Sequence, residues 1–406
     1  MMAAWRDCKL GDLLQIKHGF AFLGEHFAST GTHVVLTPGN FREEGGFKER
    51  SDKAKWYNGP ISNEYVLSEG DLIVAMTEQA EGLLGSSALI PRSGVYLHNQ
   101  RLGLVQIRDR EQTDQRFIYY LFNSKSVRQQ IRASASGAKI RHTAPSRIAE
   151  VRVTIPSFPM QRWIADTLSA YDELIENSQQ RIHILEEMAR ALYCEWFVYF
   201  RFPGHEKFSR ITSPLGAIPK GWKVVPLSSL VDFAKGRKPT ETRHEPLLDD
   251  VKLLLIESLH GGKPVFASSM KLTLAEVRDT IMVMDGASSC EVTMGASGAV
   301  GSTLGRFRST RPDVFSPHAL YRFLEAKTEE FKSKNIGAAI PHANKDYILT
   351  RLISIPPNEI AERFHAQLEP IQCAIECLKL QIQNLRQTRD LLLPRLLSGQ
   401  IEVKAA

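Results

Sequence analysis

The sequence predicts an α+β fold: two mixed α/β globular domains and two long antiparallel helices forming a coiled coil, arranged as a pseudo-two-fold internal repeat. Three features predict it. The chain duplicates itself, each copy ends in a long heptad seam, and short strand-like runs fill the rest of each copy. Its length agrees, since 406 residues exceed the roughly 100 to 200 of one ordinary domain.

The duplication is read in register. Trp5, Leu10, Leu13, Ile16 and Gly19 recur at an offset of 217 as Trp222, Leu227, Leu230, Phe233 and Gly236. Gly85-Ser86 is matched to Gly301-Ser302. Gly137, Ala138, Ile140 and His142 recur at an offset of 200 as Gly337, Ala338, Ile340 and His342, and Ile155-Pro156 as Ile355-Pro356.

Within the first copy, residues 71–76 and 102–107 are apolar or alternating runs bounded by glycine, proline and charge, which reads as strand. After residue 158 the pattern changes to a step of four and three. Ile164, Leu168, Tyr171, Ile175, Ser178, Ile182, Leu185, Ala189, Leu192 and Trp196 form one seam. Residues 201–220 carry three prolines and two glycines and read as a linker. The second copy repeats the order, with a strand-like run at 280–284. Its seam is Phe364, Leu368, Ile371, Ile375, Leu378, Ile382, Leu385, Arg389, Leu392 and Leu396. Each helix could cover only its own domain's core, but a rod of about 50 to 60 Å is longer than most domains are wide. The two rods are therefore expected to pack together. Pro370 and Pro394 lie inside the second stretch, so a kink or a late start is expected there.

Composition excludes several classes. A chain with 43% apolar and 24% charged residues is globular, no segment approaches a membrane-spanning run, and the amino terminus lacks a basic flank before an apolar stretch. The expected compartment is the cytoplasm. Cys8, Cys194, Cys290, Cys373 and Cys377 include no CxxC pair, which argues against a disulfide framework or a zinc site. The net charge of +6 permits a nucleic-acid partner, and its distribution is informative. Residues 160–199 sum to −4 and residues 359–398 to 0, so the rest carries +10.

These segments resemble a known family. The stretches IPSFPMQ (155–161), ALYCEWFVYFRFPGHE (191–206), IPKGWKVVPLSSL (218–230) and LLLPRLLSGQIEV (391–403), with GAKI (137–140), are similar to characteristic regions of the DNA specificity subunits of type I restriction-modification enzymes. The resemblance spans both copies. It departs from the family's IP-x-P-P-x-x-E-Q run where Ser157-Phe158 precedes Pro159, and where Asn358-Glu359-Ile360-Ala361 stands in the second copy. The resemblance implies target-recognition domains at 1–158 and 221–357, spacer helices at 159–200 and 358–398, the linker between them at 201–220, and a tail at 399–406. It further implies a non-catalytic chain whose partners are double-stranded DNA and two modification (methyltransferase) subunits. Restriction (endonuclease/translocase) subunits are further partners, and S-adenosylmethionine sits on the modification subunits, with no cofactor in this chain. Packing and docking fall to Ile164, Leu168, Ile175, Ile182, Leu185, Leu192, Trp196, Phe364, Leu368, Ile375, Ile382, Leu385, Leu392 and Leu396.

DNA contacts are sought among Lys and Arg for phosphates and guanine, and Asn and Gln for adenine. The candidates in the first domain are Gln79, Asn99, Gln100, Arg101, Lys139 and Arg141, with Arg128 and Arg132 nearby. In the second they are Lys235, Arg237, Lys238 and Arg243, a basic loop, with Arg306, Arg308 and Arg311. His142 and His342 recur in both copies, which suits a structural role better than reading two different half-targets. Two alternatives stay open. One is a coiled-coil scaffold that binds only proteins. The other is a PD-(D/E)xK-type nuclease outlined by Pro312-Asp313 and Glu325-Ala326-Lys327, whose carboxylates would hold a divalent metal.

Overall fold

The computed structural model describes residues 5–50, 53–78, 82–137, 140–259, 262–337 and 340–401. The chain divides into two units: Met1–Glu176 with Gln383–Ala406, and Asn177–Ile382.

Both units are built on one plan. In the first, strand Arg6–Lys9 pairs with Arg152–Ile155, and an antiparallel sheet runs Leu14–His18, Leu102–Ile107, Leu72–Ala75, Ser87–Leu89 in spatial order. In the second, Lys223–Pro226 pairs with Leu352–Ile355, and the sheet runs Val231–Lys235, Leu304–Ser309, Thr280–Val283, Val292–Met294. The three strand-like runs of the sequence are the central strands of these sheets. One face of each sheet is covered by helices, Gln115–Phe122 and Lys125–Ala133 in the first unit, Pro317–Ala326 and Thr328–Lys332 in the second. Asp114 and Ser316 cap these pairs by accepting from Phe117 N and Ala319 N. Each unit has a further four-stranded sheet of short strands with no sequence signature.

One step of the repeat alignment is corrected. Gly85 N donates to Ala75 O, and in the second unit Cys290 N donates to Val283 O, so Gly85-Ser86 corresponds to Cys290-Glu291 and not to Gly301-Ser302. The backbone agrees: Gly85 has φ +78° and Cys290 φ +69°, a left-handed position that Cys holds against its preference. Gly301-Ser302 instead corresponds to Asn99-Gln100, because each pair precedes the second strand of its sheet.

The first long helix spans Phe158–Tyr193 and continues into a π-helical turn at Cys194–Val198; the second spans Asn358–Leu397. Every seam residue predicted from the heptads is buried or half-buried. In the first unit Ile164 and Leu168 enter the core beside Leu10, Phe117 and Ile155, with Leu396 of the second helix in the same cluster. In the second unit Phe364 lies 5.5 Å from Trp196 and 4.7 Å from Phe197, ring to ring, and Lys379 pairs with Glu186 at 3.7 Å. Within each unit the contacts run antiparallel: Asp172 meets Arg389, and residue numbers fall on one helix as they rise on the other. The helices both pair and complete the domain cores, so the two sequence readings combine.

The expected late start of the second helix is not found, for it begins at Asn358. Pro370 and Pro394 sit on its exposed face, as do Ala366 and Asp390, whose carbonyls the prolines leave without a helical donor and which water can satisfy. The stretch 201–220, read as a linker, folds into a hairpin of Arg210–Ser213 and Gly216–Pro219. Phe202 and Ile218 are almost fully buried there, Phe202 against Trp222 and Trp196.

Gly19 and Gly236 recur for a steric reason. A Cβ on Gly19 would collide with the Asn99 carbonyl, and one on Gly236 with the carbonyls of Gly301 and Val300. Alanine at either position should destabilise its unit by about 3 kcal/mol, the upper end for overpacking. Gly24, with open space around it, is the control. Urea unfolding of the three variants checks this: equal midpoints for all three would contradict the close approach.

Candidate nucleic-acid interface

The close approach at each recurrent glycine creates a surface edge. In the first unit the chain leaves strand Leu14–His18 through Gly19, and Phe20 bridges in parallel to Asn99. Phe20 N donates to His98 O and Gln100 N to Phe20 O, both at 2.9 Å. Asn99 Oδ1 accepts from Arg101 N at 3.0 Å, which leaves Gln100 and Arg101 exposed at the rim. In the second unit Gly236 N donates to Leu304 O at 2.9 Å and Arg237 N to Val300 O at 3.1 Å. The two edges are therefore equivalent: His18 corresponds to Lys235, Phe20 to Arg237, and residues 99–101 to residues 301–303. Two groups of candidates chosen separately from the sequence, Asn99 to Arg101 and Lys235 to Lys238, fall on the same feature of the fold.

On the second edge Arg237 and Lys238 are exposed. Arg237 Nη1 donates to Lys271 O at 3.3 Å, which holds its guanidinium near the ammonium-bearing Lys271, a residue with φ +62°. Lys235 is exposed too but pairs with Asp285 at 3.2 Å; Asp285 also accepts from His342 at 2.8 Å. The equivalent contact in the first unit joins Thr77 Oγ1 and His142 Nδ1 at 3.1 Å. In both units the histidine backbone bridges to the chain six residues earlier, at Ser136 and Ile336. The recurrent histidines thus tie a loop to the sheet.

Other basic candidates are engaged internally. Arg306 pairs with Asp232, and Arg308 with Asp279 at 2.7 Å and Glu276 at 3.0 Å. The hydrogen bonds that Arg308 donates to the Asp279 carboxylate raise its pKa further, keeping it charged and paired. Arg243 bonds Asp250 at 3.2 Å and Glu241 at 3.1 Å. Arg311 pairs with Asp313, Arg132 lies 3.5 Å from Glu78, and Arg128 donates to the carbonyls of Glu43, Gly82 and Leu84. Arg141 is exposed on a short strand opposite Glu78. Gln79 and Lys139 lie outside the described residues. Phe20 and Lys271 belong to the edges and were missed; the 217 offset, carried one residue past Gly19, would have aligned Phe20 with Arg237.

The nuclease outline does not assemble. Asp313 is held by Arg311, which keeps its carboxyl below the usual range. Glu325 bonds Arg190 at 2.9 Å and Arg322 at 2.8 Å, and Lys327 bonds Glu330 at 2.9 Å. Each member has a private partner, and no group of three or more candidate ligands that could hold a metal ion occurs among the described residues. Nor is any helix among them long and apolar enough to cross a membrane.

Duplication of one mixed α/β unit, with a long helix after each copy and an equivalent edge on each, defines a class: internally duplicated, helix-paired α+β proteins. Residues 2–187 match the type I restriction modification DNA specificity domain. The type I restriction enzyme MjaIX specificity subunit of Methanocaldococcus jannaschii is 26% identical over 301 residues, covering 71% of this chain and 69% of that protein. The MjaVIII specificity subunit of the same organism is 21% identical over 369 residues, covering 84% and 82%. The crystal structure of the type I restriction-modification S subunit from M. genitalium shares the fold, with a TM-score of 0.60 at 17% identity over 97% of this chain and 96% of that one. The chain is thus similar, over the family-matched residues 2–187 and over most of its length to these relatives, to the DNA specificity subunits of type I restriction-modification enzymes.

His98, whose carbonyl fixes Phe20, is fully buried, and burial pushes its imidazole down to about 4 although Nε2 donates to Leu102 O at 2.9 Å. An unfolded histidine titrates near 6.5. The neutral ring's contribution is therefore complete above pH 6.5 and is lost as pH falls from 6.5 towards 4. From pH 7 to 5 the loss should reach about 2 kcal/mol. Unfolding midpoints measured across that range for the wild type and His98→Asn should show a flatter profile in the variant; parallel profiles would refute the assignment.

Proposed function

We propose that this chain reads a split double-stranded DNA target, each unit recognising one half through the edge built at its recurrent glycine. The observation that carries this reading is that one scaffold presents two equivalent edges with different exposed side chains: Phe20, Gln100 and Arg101 on one, Arg237 and Lys238 on the other. A common frame with different readers suits a target whose halves differ in sequence. The surplus positive charge outside the helices suits a polyanionic partner.

In this reading the chain is the non-catalytic member of its complex and acts in the cytoplasm. Two modification subunits dock on the helical seam region and carry S-adenosylmethionine, and restriction subunits join them. The long helices act as a ruler for the unread gap. Phosphate contacts position the protein, and base-edge contacts at the two edges choose the sequence.

Mapping of methylated bases across the genome of a methylation-free host that co-expresses this chain with its modification subunit should yield one split motif with a constant gap. Changing Arg237 and Lys238 to Ala should degrade one half of the motif and leave the other intact; Lys235→Ala should act more weakly, because Asp285 already engages that ammonium. Two soluble, associated proteins with no motif would favour the protein-only scaffold.

A ruler can be lengthened. One heptad inserted into each long helix adds about 10 Å, which should widen the gap by about three base pairs at roughly 3.4 Å each. An unchanged gap in an active complex would remove the ruler role from the helices.

A further inference from the structure

Phe20 and Arg237 hold equivalent places, yet their chemistry is opposite. Each is exposed, each follows the recurrent glycine, and each donates its backbone N–H to the equivalent carbonyl, His98 O or Val300 O. The backbone on both sides is fixed by the glycine contact, so only the side chain differs.

Phe20 is 43% exposed. Its ring rests on Phe22 and Tyr65, each 5.3 Å away centre to centre, and Lys17 lies over the Tyr65 ring at 5.1 Å with its charge paired to Glu64 at 2.9 Å. This packing props the ring outward beside Gln100, whose amide is at the exposed rim. A large apolar side chain held in water next to a polar rim is a surface that gains by being covered. Among the described residues Arg237 has no such aromatic support. Its guanidinium is tethered to the Lys271 carbonyl, Lys238 follows it, and residues 301–303 beside it are Gly, Ser and Thr, with no amide side chain.

In the major groove these two surfaces select different atoms. The feature an apolar ring can contact and a cation cannot use is the thymine 5-methyl group; the acceptors an arginine spans are guanine O6 and N7. We propose that the two half-targets are read by different chemistry: Phe20 contacts a thymine methyl in one half, and Arg237 contacts the major-groove edge of a guanine in the other. This rests on the reading of the chain as a split-target DNA-recognition subunit and adds what each half must contain.

The test uses the full-length chain assembled with its modification subunit and the duplex target defined by methylation mapping. Each thymine is replaced singly by deoxyuridine, which lacks only the methyl, and each guanine by 7-deazaguanine, which lacks the N7 acceptor. In the wild type, one deoxyuridine position should weaken binding about tenfold, and one 7-deazaguanine position in the other half should do the same. Phe20→Ala should abolish the first sensitivity only, and Arg237→Gln the second only. Phe20→Leu, still apolar, should retain methyl sensitivity, which separates a lost contact from a lost fold. Sensitivities that persist unchanged in the Ala and Gln variants, or that both fall in one half, would overturn the proposal while leaving the split target standing. A wild-type complex with no split target would instead overturn the reading beneath it.

Discussion

The constraint on which the rest depends is that each unit's core is completed by residues of both long helices. The first unit's core takes in Ile164 and Leu168 from the start of the first long helix and Leu396 from the end of the second; the second unit's core takes in Phe364 and Leu368 from the start of the second and Trp196 and Phe197 from the end of the first. Each helix therefore begins in one hydrophobic core and ends in the other. Leu396 must be brought to a core that otherwise ends at residue 168, across more than 200 intervening residues. Closing so long a loop costs entropy that grows only slowly with length, so the arrangement is affordable thermodynamically, but it delays folding. Stability of the first unit is thereby coupled to completion of the whole chain.

A duplicated fold faces the risk of pairing the wrong copies, and the joints differ in charge. In the first unit Arg389 Nη1 bonds Asp172 at 2.6 Å, and Asp172 accepts from Tyr120 OH at 2.7 Å. By repeat equivalence Tyr120 corresponds to Arg322 and Arg389 to Ala189. In the second unit Arg322 and Arg190 both converge on Glu325, beside a fully buried Ala189. Arg389 offered to the second joint would meet Arg322, a like charge in a site that is almost closed to solvent. Removing one member of such a cluster strands a desolvated charge, which is costlier than the pair is favourable. The polar interruption of the seam at Arg389 is thus matched to one address.

Legibility followed the length scale of the signal. The seams could be read because a 3.5-residue period sets ten positions in each helix, and every one of those positions is buried or half-buried. The recurrent glycines could be read because they answer a backbone collision that no side-chain substitution relieves. The hairpin at 210–219 was hidden by its own prolines and glycines, which mark a turn and a linker alike; only burial of Phe202 and Ile218 separates them. Arg306 and Arg308 looked like free basic residues because their partners lie elsewhere in the chain, at Asp232 and Asp279. Gly85-Ser86 was aligned wrongly because Cys290 fills a left-handed position where glycine is the usual signal.

The edges explain how one frame supports two readings. The close crossing at Gly19 and Gly236 is made by backbone alone: amide to carbonyl, with no room for a Cβ. Backbone contacts are indifferent to the neighbouring side chain, so the residue after the glycine can be Phe in one copy and Arg in the other without disturbing the crossing. The exposed position tolerates change because the buried one beside it does not. For the proposed split-target reading, in which the two copies keep one fold and recognise different sequences, this separation of a fixed backbone from a free side chain is the property the duplication requires.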